Sequence, residues 1–248
     1  MRRSLPVLLF LTLACRENVA PESVTTTTND ATASTTAPAP AAPVPPAAPP
    51  VATSTAPGVN GPKLMPVDDA PQDAALVAYR NQLLDAVRRR DAAAVAALVD
   101  PKIRTSFGNG GGTDEFRKTL AKEGVLEDLA LVLSRGGTFQ GEGESRSFWA
   151  PYVYSAWPDR HDAFESLAVI EDNVPLRETK DAASPVVATL AYDIVTLVIS
   201  EEELRQVKTA DGKVGWVDAR HVRSPVGYRA GFNKTGGQWL MNAFVAGD

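Results

Sequence analysis

Cysteine and histidine are almost absent from this chain. Its 248 residues include one cysteine, Cys15, and two histidines, His161 and His221. One cysteine cannot form an internal disulfide, so the fold must depend on core packing. A cysteine peptidase needs a histidine base beside its thiol, and a zinc site needs several closely spaced ligands. Because the histidines lie 60 positions apart and no HExxH or HxH motif occurs, we predict no enzyme, no metal and no cofactor.

A hydrophobic run long enough to cross a membrane is missing from the start of the chain. The apolar leader, residues 5–14, is about half as long as the roughly twenty residues that a transmembrane helix needs. It follows Arg2 and Arg3 and ends at Cys15. A short apolar run between basic residues and a small-residue boundary is typical of an export signal.

The end of this leader, Leu-Thr-Leu-Ala-Cys, resembles the lipobox of bacterial lipoprotein signal peptides. The resemblance implies that residues 1–15 are the signal peptide and that a lipidated Cys15 anchors the protein to a membrane. An ordinary cleaved signal peptide is the alternative. In the best-known systems an aspartate after the cysteine retains a lipoprotein at the inner membrane. Arg16 stands there, which favours the outer membrane, with the protein facing the periplasm.

Aromatic side chains are absent from residues 16–70, which are rich in proline, alanine and threonine. Proline fixes φ and removes a backbone donor, so this composition cannot build a core. We predict a disordered tether, which could span on the order of 100 Å if it were extended polyproline II. A PxxP-type ligand for a partner protein is the alternative.

A basic patch is missing as well. The formal net charge is −5, and acidic and basic residues alternate along the chain. The dense cluster Arg88-Arg89-Arg90 falls where a helix is predicted to end, and positive charge there suits the helix dipole. The sequence therefore predicts no nucleic-acid partner.

Residues 71–165 are predicted to form a helical α+β region. Apolar residues recur at three- to four-residue spacing over 72–89, which predicts an amphipathic helix with Pro71 near its start. Asp91 and Thr113 are predicted to cap two further helices.

Two segments inside this region have a distinct composition. Residues 103–107 are predicted to form a short strand. Residues 148–157 are dense in large aromatic and apolar side chains, so they form either a core segment or an exposed platform for a ligand. Large exposed apolar patches are uncommon on soluble domains, which favours the core.

Residues 166–224 contain short β-type segments at 174–177, 184–190 and 211–217, the last with an Asp-Gly hairpin signal. These segments resemble the bacterial SH3 domain. The resemblance implies a small β-barrel that binds peptidoglycan peptides or an envelope protein. The ligand grooves would use Tyr192, Trp216 and Arg177.

Residues 225–248 predict a C-terminal β-hairpin, because apolar residues alternate on both sides of Gly236-Gly237. The segment 233–239 resembles the last hairpin of NTF2-like domains, which also begin with paired helices. The resemblance implies that this hairpin completes region 71–165, with the SH3-like barrel inserted between them. Such a domain requires contacts between the helices and the hairpin.

The predicted fold class is therefore α+β: an N-terminal helical segment, an SH3-like small β-barrel and a C-terminal β-hairpin. The leading hypothesis is a non-catalytic envelope lipoprotein whose SH3-like module binds peptidoglycan or an envelope protein. The alternative is a periplasmic assembly or stability factor that holds a protein partner, in which the barrel is purely structural.

Overall fold

The computed structural model describes residues 58–108 and 110–247. The predicted signal peptide, its lipidation site Cys15 and residues 16–57 of the predicted tether lie outside the described residues. The described part combines five α-helices with two antiparallel sheets. Helix and sheet are therefore mixed, as the α+β prediction required.

The helices begin where the sequence supplies capping groups. The Asp73 carboxylate accepts a hydrogen bond from the backbone N–H of Leu76 at 3.3 Å, and the Asp91 carboxylate accepts one from Ala94 at 2.9 Å. The cap predicted at Asp91 is confirmed, whereas the first helix begins after Pro71, which lies in a 3-10 turn. The helices are α1 (Ala74–Arg88), α2 (Ala92–Leu98), α3 (Thr113–Leu120), α4 (Val125–Ser134) and α5 (Tyr152–Ser155).

The first sheet joins two strands from the middle of the chain to the final hairpin. Its strands, numbered in chain order, are β1 (Thr138–Gln140), β2 (Ser147–Ala150), β10 (Arg229–Thr235) and β11 (Gln238–Val245). The order is β1-β2-β10-β11, and Phe232 of β10 lies opposite Phe148 of β2. Since β2 and β10 are neighbours in space, the chain between them is an insertion into this sheet.

The final hairpin packs against the paired helices α1 and α2. The Tyr79 ring meets the Phe232 ring edge-on, with 6.2 Å between the centroids. The Tyr79 hydroxyl donates to the backbone carbonyl of Leu98 and accepts from the backbone N–H of Met241, both at 2.8 Å. The contact between helices and hairpin that the NTF2-like resemblance required is therefore present.

Two predictions near the glycine loop are wrong in detail. Thr113 is the first residue of α3, and Gly112, with φ +86°, occupies the N-cap position before it. The strand predicted at 103–107 is reduced to single bridges of Arg104, to Gly111 and to β11. The chain turns back on itself through the glycines, so too few residues stay extended to form a ladder.

The aromatic segment 148–157 belongs mainly to the core. Phe148 and Val153 are fully buried, and Tyr152 is 1% exposed. These three side chains are therefore core residues, whereas Trp149, Tyr154 and Trp157 of the same segment are half-buried. The core of the first sheet and helices includes Leu76, Leu83, Phe116, Leu129, Phe148, Phe232 and Phe244.

The second sheet contains all the strands between β2 and β10. They are β3 (Ser166–Val169), β4 (Val174–Arg177), β5 (Val186–Leu190), β6 (Ile194–Ser200), β7 (Leu204–Lys208), β8 (Val214–Asp218) and β9 (Val222–Arg223). Their order is β5-β4-β8-β7-β6-β3-β9. One face packs over a core that includes Leu176, Leu190, Val195, Val207 and Val217.

A closed barrel, which the SH3 resemblance implied, is not seen. The sheet has two edges, β5 and β9, and the paired strands do not join them. The β5 edge is instead met by the preceding chain, because Gly58 forms a parallel bridge with Thr189. The correct description of residues 166–224 is an open, seven-stranded antiparallel sheet.

The prediction that residues 58–70 belong to a disordered tether is wrong. Val59 and Leu64 are each 6% exposed, and Ala70 is fully buried. Lys63 pairs at 2.7 Å with Asp193, which is 1% exposed. A buried carboxylate needs such a partner, so residues 58–70 belong to the folded part.

Candidate functional site

A cavity of about 230 Å³ opens on the outer face of the second sheet, beside Trp216. We call it the Trp216 cavity. Its charged and aromatic lining side chains are Arg177, Lys180, Trp216, Asp218, Arg220 and His221. Strand β4 supplies the first of these, the chain after β4 the second, and β8 with the turn that follows it supplies the rest.

Strands β4 and β8 bring Arg177 and Trp216 together, since these two residues face each other in the ladder. Gly215 makes this close approach possible. A Cβ added at Gly215 would lie 2.5 Å from the carbonyl oxygen of Arg177, which is closer than side chains tolerate. Glycine at this position therefore lets β8 reach β4, so that Trp216 lies opposite Arg177 in the ladder.

A row of side chains continues across the sheet from this pair. Arg177 lies opposite Trp216, Trp216 opposite Gln206, and Gln206 opposite Ile199. Directly paired residues share one face of an antiparallel sheet. The row therefore combines a cation, an indole, an amide and an aliphatic side chain that is 42% exposed.

The indole of Trp216 is covered by a lysine. Trp216 is 9% exposed, and the Lys180 Nζ lies 4.6 Å from the centroid of its ring. Lys180 also pairs with Glu201. The Lys180 side chain is 52% exposed, and a cation–π contact at an exposed site contributes about 0.5–1 kcal/mol, so a ligand could displace Lys180 from the ring at modest cost.

Arg177 has a structural contact of its own. Its Nη1 donates to the backbone carbonyl of Ser184 at 2.9 Å, which fixes the loop between β4 and β5. Arg220 is more accessible, because its side chain is 76% exposed. Its Nε lies 3.2 Å from the Asp218 carboxylate and 3.4 Å from His221 Nε2. Arg220 is therefore the better placed of the two cations to contact a ligand.

His221 connects the cavity to the helical part of the protein. Its Nδ1 lies 2.8 Å from Glu171 Oε2, and the other oxygen of Glu171 accepts from Arg135 of the α4 C-terminus at 2.9 Å. Burial raises the pKa of Glu171, but hydrogen bonds from Arg135 and His221 outweigh it and hold this pKa below its usual value. Glu171 is therefore an anion held between two cationic or hydrogen-bonding groups.

The charge around the cavity differs in sign from that of the chain. Arg177, Lys180 and Arg220 line it together with the carboxylate of Asp218, and Glu201 pairs with Lys180, which leaves a formal excess of one positive charge. The whole chain carries −5. The local field therefore favours an anionic group.

Tyr192, the third residue predicted to bind the ligand, lies elsewhere. It occupies the turn between β5 and β6 with φ +55° and lines a different cavity, together with Arg135 and Tyr152. Lys180 and Arg220 were not among the predicted site residues. Their place at the cavity depends on the long-range pairing of β4 with β8, which no local pattern in the sequence shows.

The described part of the chain holds no group of three or more histidine, cysteine, aspartate or glutamate side chains placed to share a metal ion. Within residues 58–108 and 110–247, no helix has the length and apolar character needed to cross a membrane.

No protein-family model and no curated protein matches this chain. Solved structures that match include an NTF2-like protein of unknown function from Pseudomonas putida KT2440, with 10% identity over 72% of this chain and 87% of that chain, and a TM-score of 0.26. Another is an NTF2-like protein with a cystatin-like fold from Novosphingobium aromaticivorans, with 11% identity over 71% and 86%, and a TM-score of 0.27. Both are NTF2-like proteins, the class that the final hairpin resembles. Their TM-scores are too low to indicate a function for this chain.

Proposed function

We propose that this protein is a non-catalytic lipoprotein of the bacterial cell envelope that binds peptidoglycan through the Trp216 cavity. The SH3-like segment would be the binding module. Cys15 would anchor the protein to the outer membrane, facing the periplasm, and the proline-rich residues after it would be the tether. The observation that supports binding is the excess of positive charge around a lysine-covered indole, in a chain whose net charge is negative.

The ligand group that suits this cavity is a carboxylate of a peptidoglycan stem peptide. Arg220 would pair with it at the open side of the cavity. Hydrogen bonds between a guanidinium and a carboxylate are stronger than neutral ones, and they are specific in direction. Lys180 would leave the Trp216 ring, so that the peptide contacts the indole.

Co-sedimentation with purified peptidoglycan sacculi tests this proposal. Residues 16–248, which lack the lipid, should pellet with sacculi in a saturable manner. Arg220→Ala should weaken binding about tenfold, since a hydrogen bond to a charged group is lost. Arg88→Ala is the matched control, because Arg88 is also exposed, at 66%, but lies on α1 outside the cavity. Equal pelleting of both variants and the wild type would exclude the cavity as the wall-binding site.

A protein partner is the second candidate, with the second sheet purely structural or used as a docking surface. What favours it is exposed apolar area on that sheet: Val198 of β6 is 50% exposed and Val214 of β8 is 45% exposed. Such area is more often found at interaction sites than elsewhere on a monomer. A partner recovered from detergent-solubilised envelope after the wall has been digested, and lost in Val214→Ser, would favour this candidate over the wall.

A further inference from the structure

A second cavity lies where the helical part meets the second sheet. Its volume is about 310 Å³, within the range of small-molecule sites. Val67 and Ile170 give it apolar walls, and Arg135, Tyr152 and Tyr192 give it polar groups. We call it the junction cavity. It shares no lining residue with the Trp216 cavity.

Tyr152 lines the junction cavity, and its hydroxyl is a buried polar group with less than 1 Å² of accessible surface. Tyr152 is 1% exposed, and its Oη has no hydrogen-bond partner among the described residues. Leaving a buried hydroxyl unpaired is costly, and native proteins rarely do so without a functional reason. Burial raises the pKa of Tyr152 to about 12, while the charge of Arg135 lowers it, so the hydroxyl stays protonated and able to donate.

The walls of the junction cavity are fixed by backbone contacts. The N–H of Gly137 donates to the carbonyl of Val67 at 3.0 Å, and a Cβ at Gly136 would lie 2.3 Å from that same oxygen. On the opposite side, the carbonyl of Tyr192 accepts from the N–H of Leu64 at 2.8 Å. The backbone around the cavity is therefore held in place, and a ligand reaches the Tyr152 hydroxyl through a shift of that side chain.

Tyr192 is held in an unusual conformation at this cavity. Its φ of +55° lies in the left-handed region, which bulky side chains rarely adopt. Such conformations cost of order 1–3 kcal/mol and cluster at ligand sites, where the surrounding structure maintains them. Tyr192 lines the cavity in this conformation.

The charged groups of the junction cavity are already paired. Both oxygens of Asp68 accept from Arg80, at 2.8 and 2.6 Å. The Arg135 guanidinium donates to Glu171 and, at 3.0 Å, to the carbonyl of Ile170. An added ion would have to compete with these pairs, so the arrangement favours an uncharged ligand.

We propose that the junction cavity binds a small uncharged molecule whose amide or carbonyl oxygen accepts a hydrogen bond from the Tyr152 hydroxyl. The apolar part of this molecule would lie against Val67 and Ile170. This inference goes beyond peptidoglycan binding at the Trp216 cavity, and neither proposal requires the other.

NMR titration of residues 16–248 with three probes tests the site. The probes share a cyclohexyl ring and differ in charge. They are N-cyclohexylacetamide, which is neutral, cyclohexanecarboxylate and cyclohexylammonium. The neutral amide should bind most tightly and shift the backbone N–H signals of Gly136 and Tyr192. Tighter binding of either ion, or no saturable shift with the amide, would overturn the proposal.

A pair of variants separates recognition from folding. Tyr152→Phe should weaken binding of the neutral amide about fivefold, because one hydrogen bond is lost. Its thermal midpoint should stay at or above that of the wild type, since no partner of the hydroxyl is left unpaired. Tyr228→Phe, outside the cavity, should bind the amide as the wild type does. Unchanged affinity in Tyr152→Phe would refute the assigned role of the hydroxyl.

Discussion

Two buried tyrosine hydroxyls provide a matched test of how the final hairpin is held. The Tyr79 hydroxyl bonds to the carbonyl of Leu98 and the N–H of Met241, both at 2.8 Å. The Tyr152 hydroxyl has no partner among the described residues. Burial raises the pKa of both to about 12. Replacing each tyrosine with phenylalanine removes the same atom from two different hydrogen-bonding environments.

The structure predicts opposite consequences for the two replacements. Tyr79→Phe leaves a carbonyl and a fully buried N–H, that of Met241, without their side-chain partner. An unsatisfied buried group costs about 1–3 kcal/mol, so we expect a loss of about 2–3 kcal/mol in the free energy of unfolding. Tyr152→Phe leaves no other group without its hydrogen-bond partner. We expect its free energy of unfolding to change by about 0.5 kcal/mol or less, or to rise slightly.

Urea unfolding followed by circular dichroism measures both differences, provided that the dependence on urea stays the same. Wild-type stability in Tyr79→Phe would refute the packing argument, and so would equal losses in the two variants.

The pH dependence of stability gives a further check. A raised folded-state pKa means that stability is complete below the usual value of 10 and falls as pH rises towards 12. Each variant should lose part of this alkaline dependence.

Two other predictions concern single contacts. Asp73→Ala should lower the free energy of unfolding by about 1 kcal/mol, because a helix cap is lost. A hydrogen bond from Lys234 lowers the pKa of Asp73 to about 2, so the stability of the wild type should fall as pH drops from 3.8 towards 2. Thermal melts of the variant should show less of this fall. Gly215→Ala should cost about 1–3 kcal/mol in urea unfolding, because its Cβ would lie 2.5 Å from the carbonyl oxygen of Arg177. Gly58→Ala, with nothing within 4 Å of the added carbon, is the control, and equal stability of the two glycine variants would contradict the close approach of β4 and β8.

Local signals in the sequence were sufficient for the first two helices and the final hairpin. The carboxylate of Asp91 caps α2 because its spacing from the helix is encoded within a few residues. The final hairpin was visible from alternation around Gly236-Gly237, and the register pairs Thr235 with Gln238 across that turn. These features depend on neighbours in the sequence, so one chain is enough to predict them.

Pairing between residues that are distant in the sequence could not be predicted. Whether β5 meets β9 or the preceding chain depends on Gly58, which bridges Thr189 from more than a hundred positions away. The same is true of Lys63, whose role becomes clear only from the buried carboxylate of Asp193. The proline- and threonine-rich composition of residues 16–70 obscured the few apolar residues among them that are buried, such as Val59 and Leu64.

For the same reason, only Arg177 and Trp216 of the residues that line the Trp216 cavity were predicted as site residues. Arg177 and Trp216 could be grouped because both belong to the segments that resemble the bacterial SH3 domain. Tyr192 could not be excluded from that group without the turn that carries it to the junction cavity. Lys180 and Arg220 needed the β4–β8 register, which the sequence does not state.

Binding of residues 16–248 to purified sacculi, compared between wild type, Arg220→Ala and Arg88→Ala, tests the central proposal most directly. The proposal predicts saturable pelleting of the wild type, the same pelleting for Arg88→Ala, and about tenfold weaker binding for Arg220→Ala. A wild type that stays in the supernatant would contradict wall binding. Pelleting that is indifferent to Arg220 would contradict the assignment of binding to the Trp216 cavity.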